Sequence, residues 1–300
     1  MADRRLQVFH AVAKHLSFTK AADALVMTQP AVTFQIKQLE DQYNVRLFER
    51  GHGKIALTAA GELVLEYAER ILGLGTEMEV RLGEMTGQMR GSLLIGASTT
   101  VAEFLLPRVL AEFNALYPAV RPRLIVANSE TIQNRIAEHV LDIGLVASGT
   151  SLPGLASEVC CQDELVVTCA AGYPLADFTE VTADELLDYE YISREPGSGT
   201  RDVVENYFRR ADLAPEQLKT LMELGSPEAL KGVVRAGLGF AIVSRAVVER
   251  EVAQGTLVAV PLAPRLHRTL TFVYPKDKFR SKMITTFVDF AKQKMNEGRR

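Results

Sequence analysis

Apolar residues recur at helical spacing through the first forty positions. Leu6, Phe9, Val12, Ala13 and Leu16 form one stripe, and Ala21, Ala22 and Leu25 form a short second face. Val32, Ile36 and Leu39, separated by four and three, form a third. The pattern predicts three helices, the last two joined by a tight turn that Val26 and Met27 fill. Thr28 suits the N-cap of the third helix, and Pro30 falls in its first turn, where a missing N–H is harmless. Gln29, Thr33 and Lys37 repeat every four residues on another face of that helix, with Phe34 near its edge. Next, Arg50-Gly51-His52-Gly53-Lys54 before Ile55-Ala56-Leu57 predicts a tight hairpin with basic residues at its tip.

Thr58 can cap the helix that follows. Its apolar positions Leu63, Tyr67, Ile71, Leu74, Met78, Leu82 and Met85 are separated by 4, 4, 3, 4, 4 and 3, which is the coiled-coil repeat of about 3.5. One long helix cannot bury a single apolar stripe alone, so Leu63, Tyr67, Ile71, Leu74, Met78 and Leu82 are expected to form a dimerisation seam. Gly73, Gly75 and Gly83 each weaken the helix by on the order of 1 kcal/mol relative to Ala, a loss that packing on a partner offsets.

Residues 87–92 (GQMRGS) read as a hinge. Beyond it, short apolar strands alternate with helices: strands near 93–97, 123–127 and 142–146, helices near 101–116 and 131–139. A second set has strands at 164–170, 189–192, 221–224 and 240–243, with helices at 202–211 and 227–236. A late strand at 269–274 and an amphipathic helix at 281–295 close the chain. Such alternation predicts βαβ units around a mostly parallel sheet.

A helix supported from behind, with hydrogen-bonding side chains at its N-terminal end, suits the major groove. The segments SFTKAADAL, TQPAV, QIKQLE and VRLFER, within 17–50, resemble the N-terminal domain of LysR-type transcriptional regulators. The resemblance implies a winged helix-turn-helix DNA-binding domain over 1–58, with a reading unit at about 18–37, and a linker helix over 59–87. It further implies an effector-binding domain over 88–300 built as two α/β subdomains of the periplasmic-binding-protein type, at about 91–161 with 268–300 and about 162–267. The chain would cross between them near 162–163 and 265–268. Thr28, Gln29, Pro30, Thr33, Phe34 and Lys37 are then expected to face bases, and Arg50, His52 and Lys54 phosphates. Thr33 and Phe34 depart from the Ser and the basic or small polar residue most usual in the family, which leaves the operator sequence open.

Three small-polar clusters lie between a strand and a helix start: Ser98-Thr99-Thr100, Gly197-Ser198-Gly199-Thr200-Arg201 and Gly225-Ser226-Pro227. Strand C-terminal ends in open α/β sheets face a ligand crevice, and helix N-termini favour anions. Ser and Thr are also ordinary N-caps, so each cluster is either a cap or part of a site. Ser98, Thr99, Thr100, Thr150, Ser198, Thr200, Arg201 and Ser226 are the candidate effector residues, with Ser151 a weaker one. GSGTRD lacks the GK[ST] ending of a phosphate loop. REPGSGTR and RAGLGFAIVS are similar to family members that regulate sulfur assimilation and carbon fixation, which implies a sulfur or phosphorylated metabolite as effector.

Three hundred residues suffice for two or three domains, and 47% hydrophobic with 24% charged residues is ordinary globular composition. No apolar run approaches the ~18–20 residues of a membrane helix. Lys14 and His15 interrupt any secretory core at the start, so a cytoplasmic location is expected. Residues 1–65 hold eight Lys and Arg against six Asp and Glu; the whole chain is −3, so the remainder carries −5. A mildly basic head on an acidic body binds DNA modestly alone, which makes self-association expected. Cys160, Cys161 and Cys169 lack CxxC spacing and read as buried residues of a reducing compartment. The histidines show no ligand spacing, and no catalytic constellation or cofactor loop stands out. The chain is therefore expected to be no enzyme and to need no metal or cofactor. Its expected partners are double-stranded DNA, a small anionic metabolite and further copies of itself. In the family the copies form dimers, usually with four subunits per DNA site, and activators contact RNA polymerase.

Overall fold

The computed structural model describes residues 3–51, 54–85, 89–147, 149–150, 152–276 and 280–297. The chain divides into two compact units, Met1–Gln88 and Met89–Arg300. In the first, α1 (Arg4–His15), α2 (Phe18–Leu25) and α3 (Gln29–Tyr43) precede the antiparallel hairpin β1 (Phe48–Gly51) and β2 (Lys54–Leu57). The long helix α4 (Ala59–Met85) follows without a break at Gly73 or Gly75. Side chains of Asp3, Ser17 and Thr28 accept hydrogen bonds from first-turn amides of α1, α2 and α3, and Thr58 Oγ1 accepts from Gly61 N of α4.

Phe9, Val12, Phe18, Ala21, Val32, Ile36, Leu39 and Phe48 make one core, with Phe48 tilted against Phe9 at 5.3 Å and edge-on to Phe18 at 5.8 Å. Two expectations fail at helix ends. Leu16 and Val26 terminate α1 and α2 in the left-handed region, and that geometry turns their side chains outward. Leu16 is half exposed, and Val26, expected to fill the turn, is 94% exposed; Met27 alone packs inward there. Val8, absent from the predicted stripe, is fully buried. Helix α4 presses Ala60, Val64, Leu65 and Ala68 onto this core. Gly61 permits the contact, since a Cβ there would lie 2.1 Å from the Leu47 carbonyl oxygen.

The second unit contains β3 (Gly91–Ser98), a π-helical turn (Val101–Leu105), α5 (Leu106–Leu116), β4 (Val120–Ala127), α6 (Ser129–Ala137) and β5 (Ile143–Val146). The long strand β6 (Leu155–Ala170) leads to β7 (Glu190–Arg194), α7 (Gly199–Arg210), β8 (Lys219–Leu224), α8 (Pro227–Arg235), β9 (Ala241–Ser244) and α9 (Arg245–Ala253). The longer strand β10 (Leu257–Pro275) and α10 (Lys282–Glu297) complete it. Six strands pair in the order β4-β3-β5-β10-β6-β9, and β7 and β8 form a separate parallel pair. Gly91 and Ser92, read as hinge, pair with Val120 and Arg121 as the start of β3; residues 86–88 lie outside those described.

The sheet is mixed rather than mostly parallel. Strands β3, β4 and β5 are parallel, but β10 runs antiparallel to both β5 and β6, and β6 to β9. Two long strands that carry the chain from one lobe to the other and back must run in opposite directions. One lobe buries Leu93, Ile95, Phe113, Leu145, Phe272 and Phe287, and the other Leu165, Tyr191, Phe208, Phe240 and Ile242. Between the two cores Asp163 of β6 stands opposite Arg268 of β10.

Candidate DNA interface and effector cleft

Helix α3 buries Val32, Ile36 and Leu39 and leaves its other faces to solvent. Thr28, Gln29, Pro30 and Lys37 are exposed and Thr33 is half-buried. Thr33 Oγ1 donates to the Gln29 carbonyl at 3.0 Å and accepts from Gln29 Nε2 at 3.3 Å, so these two side chains are pre-arranged as a pair. Phe34 is 57% exposed. The side chains of Arg50 and Lys54, and the whole of His52, lie outside the described residues. The predicted seam residues Leu63, Tyr67, Ile71, Leu74, Met78 and Leu82 are all exposed along α4, on the face turned away from the helical core.

The second unit brings five of its candidate residues to one place. Ser98, Thr99 and Thr100 follow β3, and Ser198 and Thr200 begin α7. They line a narrow cavity with Asn128 and Ser129 at the start of α6, Ala147 after β5, Arg194 at the end of β7, and Gly199. Topology causes the convergence, since all these segments leave the C-terminal ends of strands. The walls are held close across the gap: Asn128 Nδ2 donates to the Pro196 carbonyl at 3.2 Å, and Glu130 N to the Gly197 carbonyl at 3.3 Å. Gly197 has φ +79°, and a Cβ there would meet Glu130 Oε2 at 2.6 Å. At Gly199 a Cβ would lie 2.8 Å from Ser129 Oγ and 3.0 Å from the Ala147 backbone. Larger residues at either glycine would force the walls apart.

Two buried arginines hold hydroxyls at the rim of this cavity. Arg194 Nη2 donates to Thr99 Oγ1 at 2.8 Å, while its Nε bonds Glu195 at 2.9 Å and the Leu224 carbonyl at 3.2 Å. Arg268 Nη1 donates to Thr200 Oγ1 at 2.7 Å, and its Nε to Asp163 Oδ2 at 2.9 Å. Asp163 in turn accepts from Ser244 Oγ at 2.8 Å, the side chain that caps α9. Among the described residues, Ser98 Oγ and Ser129 Oγ are buried without a hydrogen-bond partner. Ser198, at the N-cap of α7, makes no side-chain bond to that helix. Buried donors left unpaired are costly.

Three candidates lie elsewhere. Thr150 Oγ1 accepts from Leu152 N in a loop, and Ser226 caps α8 by accepting from Ala229 N. Arg201 turns from the cavity to Glu205 at 2.8 Å and to Glu223, which together neutralise it. Ser151 lies outside the described residues. The site residues missed by sequence reasoning are Asn128, Ser129, Ala147, Arg194 and Arg268. Asn128-Ser129 carries the same strand, cap, helix signal that marked the other clusters.

Burial pushes the Cys169 thiol up to about 11, far from the range of a reactive thiolate. All three cysteines are buried thiols in no disulfide. Among the described residues no cluster of His, Cys, Asp or Glu could hold a metal, and no helix is long and apolar enough to cross a membrane.

A winged helix-turn-helix unit joined in one chain to a two-lobed α/β body with a polar cleft defines a DNA-binding transcriptional regulator with an effector-binding domain. Residues 4–62 match the bacterial regulatory helix-turn-helix protein model of the lysR family, and residues 86–296 match the LysR substrate binding domain. The chain belongs to the LysR family of transcriptional regulators and is not an enzyme. It is 33% identical over 298 residues to a "Probable RuBisCO transcriptional regulator" of Phaeodactylum tricornutum, covering 98% of this chain and 97% of the relative. It is 36% identical over 289 residues to the HTH-type transcriptional regulator YeiE of Escherichia coli, covering 96% of each. Among solved structures, the regulatory domain of CcmR from Synechocystis in complex with 2-PG superposes with a TM-score of 0.63 at 29% identity, covering 69% of this chain and 98% of that one.

Proposed function

We propose that this regulator reads its operator through the exposed N-terminal half of α3 and is switched by a small anionic metabolite in the cleft of its second unit. Thr28, Gln29, Pro30, Thr33, Phe34 and Lys37 face the bases, and Arg50, His52 and Lys54 of the wing grip phosphates. Pairing of α4 along Leu63, Tyr67, Ile71, Leu74, Met78 and Leu82 joins two copies, and two such dimers occupy one operator. The functional division falls at 1–58, 59–87 and 88–300, the last acting as two lobes, about 91–161 with 268–300 and about 162–267. The protein works in the cytoplasm and, where it activates, contacts RNA polymerase.

The observation that carries the effector reading is the buried, unpartnered pair Ser98 Oγ and Ser129 Oγ beside the uncapped start of α7. The N-termini of α6 and α7 open on one cavity, which favours an anion. The 2-PG held by the CcmR regulatory domain is an anion of the expected kind, 2-phosphoglycolate. The effector must bind one arrangement of the dimer better than another, or it shifts nothing. A thermal-shift screen of small anionic metabolites, 2-phosphoglycolate and sulfate included, tests this on the whole protein. A hit whose affinity falls in Thr100→Val, with effector-free DNA binding intact, supports the reading; a hit indifferent to Thr100→Val moves the site elsewhere.

A further inference from the structure

We propose that the cleft selects a fully ionised tetrahedral oxyanion head, a sulfate or a phosphomonoester dianion, because Arg194 and Arg268 hold the hydroxyls of Thr99 and Thr200 as obligate donors. This rests on the reading of the cleft as the effector site and sharpens it. A threonine hydroxyl has one proton and can accept through its lone pairs, whereas a guanidinium only donates and stays charged. Thr99 Oγ1 already accepts from Arg194 Nη2 at 2.8 Å, and Thr200 Oγ1 from Arg268 Nη1 at 2.7 Å. Neither hydroxyl proton can point back at its arginine, so each is free to be offered to a guest in the cavity.

The remaining lining has the same bias. The first amides of α7 have no side-chain cap, and Ser98 Oγ and Ser129 Oγ can swing their protons to any acceptor. Among the described residues no carboxylate lines the cavity. Each arginine is already matched by its own carboxylate, Glu195 for Arg194 and Asp163 for Arg268, so its charge is balanced without the guest. A guest whose oxygens are all acceptors satisfies such a site. A monoprotonated head brings an O–H that must compete with the donors, and one unmet buried group weakens binding several-fold or more.

Arg268 is on this account a positioning residue. It is buried where the paired strands β6 and β10 pass from one lobe to the other, tied to Asp163, which also accepts from Ser244. The same guanidinium that braces the crossing therefore sets which way the Thr200 hydroxyl faces.

Calorimetry on the full-length protein separates the possibilities, using inorganic sulfate and 2-phosphoglycolate as probes. Sulfate stays a dianion throughout the range, while a phosphomonoester loses its second proton near pH 6, so its dianion fraction falls about tenfold between pH 7.5 and pH 5. The charged groups around the cleft are Glu103 of the π turn, Glu130 of α6, Asp163 of β6, Arg194 and Glu195 at the end of β7, Arg201 and Asp202 of α7, and Arg268 of β10. Burial raises Glu103 and Asp202 above the usual carboxylate range. Any titration of these protein groups would appear equally in the sulfate arm, which is the control. The expected result is a sulfate affinity flat with pH and a 2-phosphoglycolate affinity about tenfold weaker at pH 5 than at pH 7.5.

In Arg268→Gln the amide oxygen can accept the Thr200 proton, so the hydroxyl is no longer an obligate donor and the phosphoester ratio should shrink to a few-fold. Thr200→Ser should keep the wild-type ratio, and Thr200→Val should weaken both probes while Arg268 stays paired with Asp163. Should Arg268→Gln fail to fold, the two Thr200 variants and the wild-type profile still decide the matter. Phosphoester binding equal at both pH values overturns the selection of a dianion, and an unchanged ratio in folded Arg268→Gln overturns the role of Arg268. Binding of neither probe at any pH overturns the cleft reading itself, and the inference with it.

Discussion

Helices α3 and α7 both begin at a hydroxyl residue in extended backbone, yet the two N-termini are finished in opposite ways. Thr28 Oγ1 accepts from Ala31 N, and Gln29 and Thr33 bond each other, so the exposed end of α3 is internally satisfied while it waits in water. Ser198 caps nothing in α7, and Ser129 Oγ stands unpartnered across from Gly199. A surface that meets a large partner must be stable without it, and water can fill any gap in its hydrogen bonding. A buried cavity has no such reserve, so donors left unmet there favour the state in which a ligand meets them. The same residue types therefore close one helix end toward water and leave the other open in a buried cleft.

The largest expected effect is on DNA discrimination. Gln29→Ala or Thr33→Ala should reduce the preference for operator over random DNA by about 1–3 kcal/mol, read in competition binding, without touching effector affinity. Discrimination unchanged in either variant removes that residue from the reading set. Next come the caps: Thr28→Ala should cost about 1 kcal/mol of stability in denaturant unfolding, whereas Ser198→Ala should cost almost none in the effector-free protein. Equal losses would erase the contrast between the two helix ends.

Ser129→Ala sharpens the same contrast from the other side. It should weaken effector binding by about 1 kcal/mol in calorimetry yet leave the effector-free melt the same or higher, because it removes a buried group that has no partner. A lower melt would make Ser129 a structural residue. The smallest effect is at Val26, a β-branched residue at φ +53° with its side chain in solvent. Val26→Asn should stabilise the head by about 0.5–1 kcal/mol, since Asn tolerates the left-handed region that Val resists.

How much of this could be read in advance differed between the two units. The head announces itself because its helices are local and amphipathic, so stripes such as 32/36/39 map directly onto the buried face. Its errors, Leu16 and Val26, sit where left-handed C-caps turn apolar side chains outward, which periodicity does not encode. In the body the short strands were legible, but the first half of β6 and most of β10 were not. Their central positions carry Asp163 and Arg268, a charged pair that reads as a boundary and is in fact buried. Helix α9 was missed as well. At the cleft, hydroxyls between strand and helix were visible, because that order places them at strand C-terminal ends. The arginine was misplaced for a local reason: Arg201 has Glu205 four residues on, which claims it, while Arg194 is buried against the prior that arginine sits at the surface.

The central claim is that an anion in the cleft changes how the head holds DNA. The direct measurement is footprinting of the DNA upstream of the protein's own gene, with wild type and a Ser98→Ala/Ser129→Ala double variant, with and without 2-phosphoglycolate. The account predicts a footprint from both proteins and a change in its extent on adding the anion to wild type alone. An anion-dependent change of the same size in the double variant would contradict it.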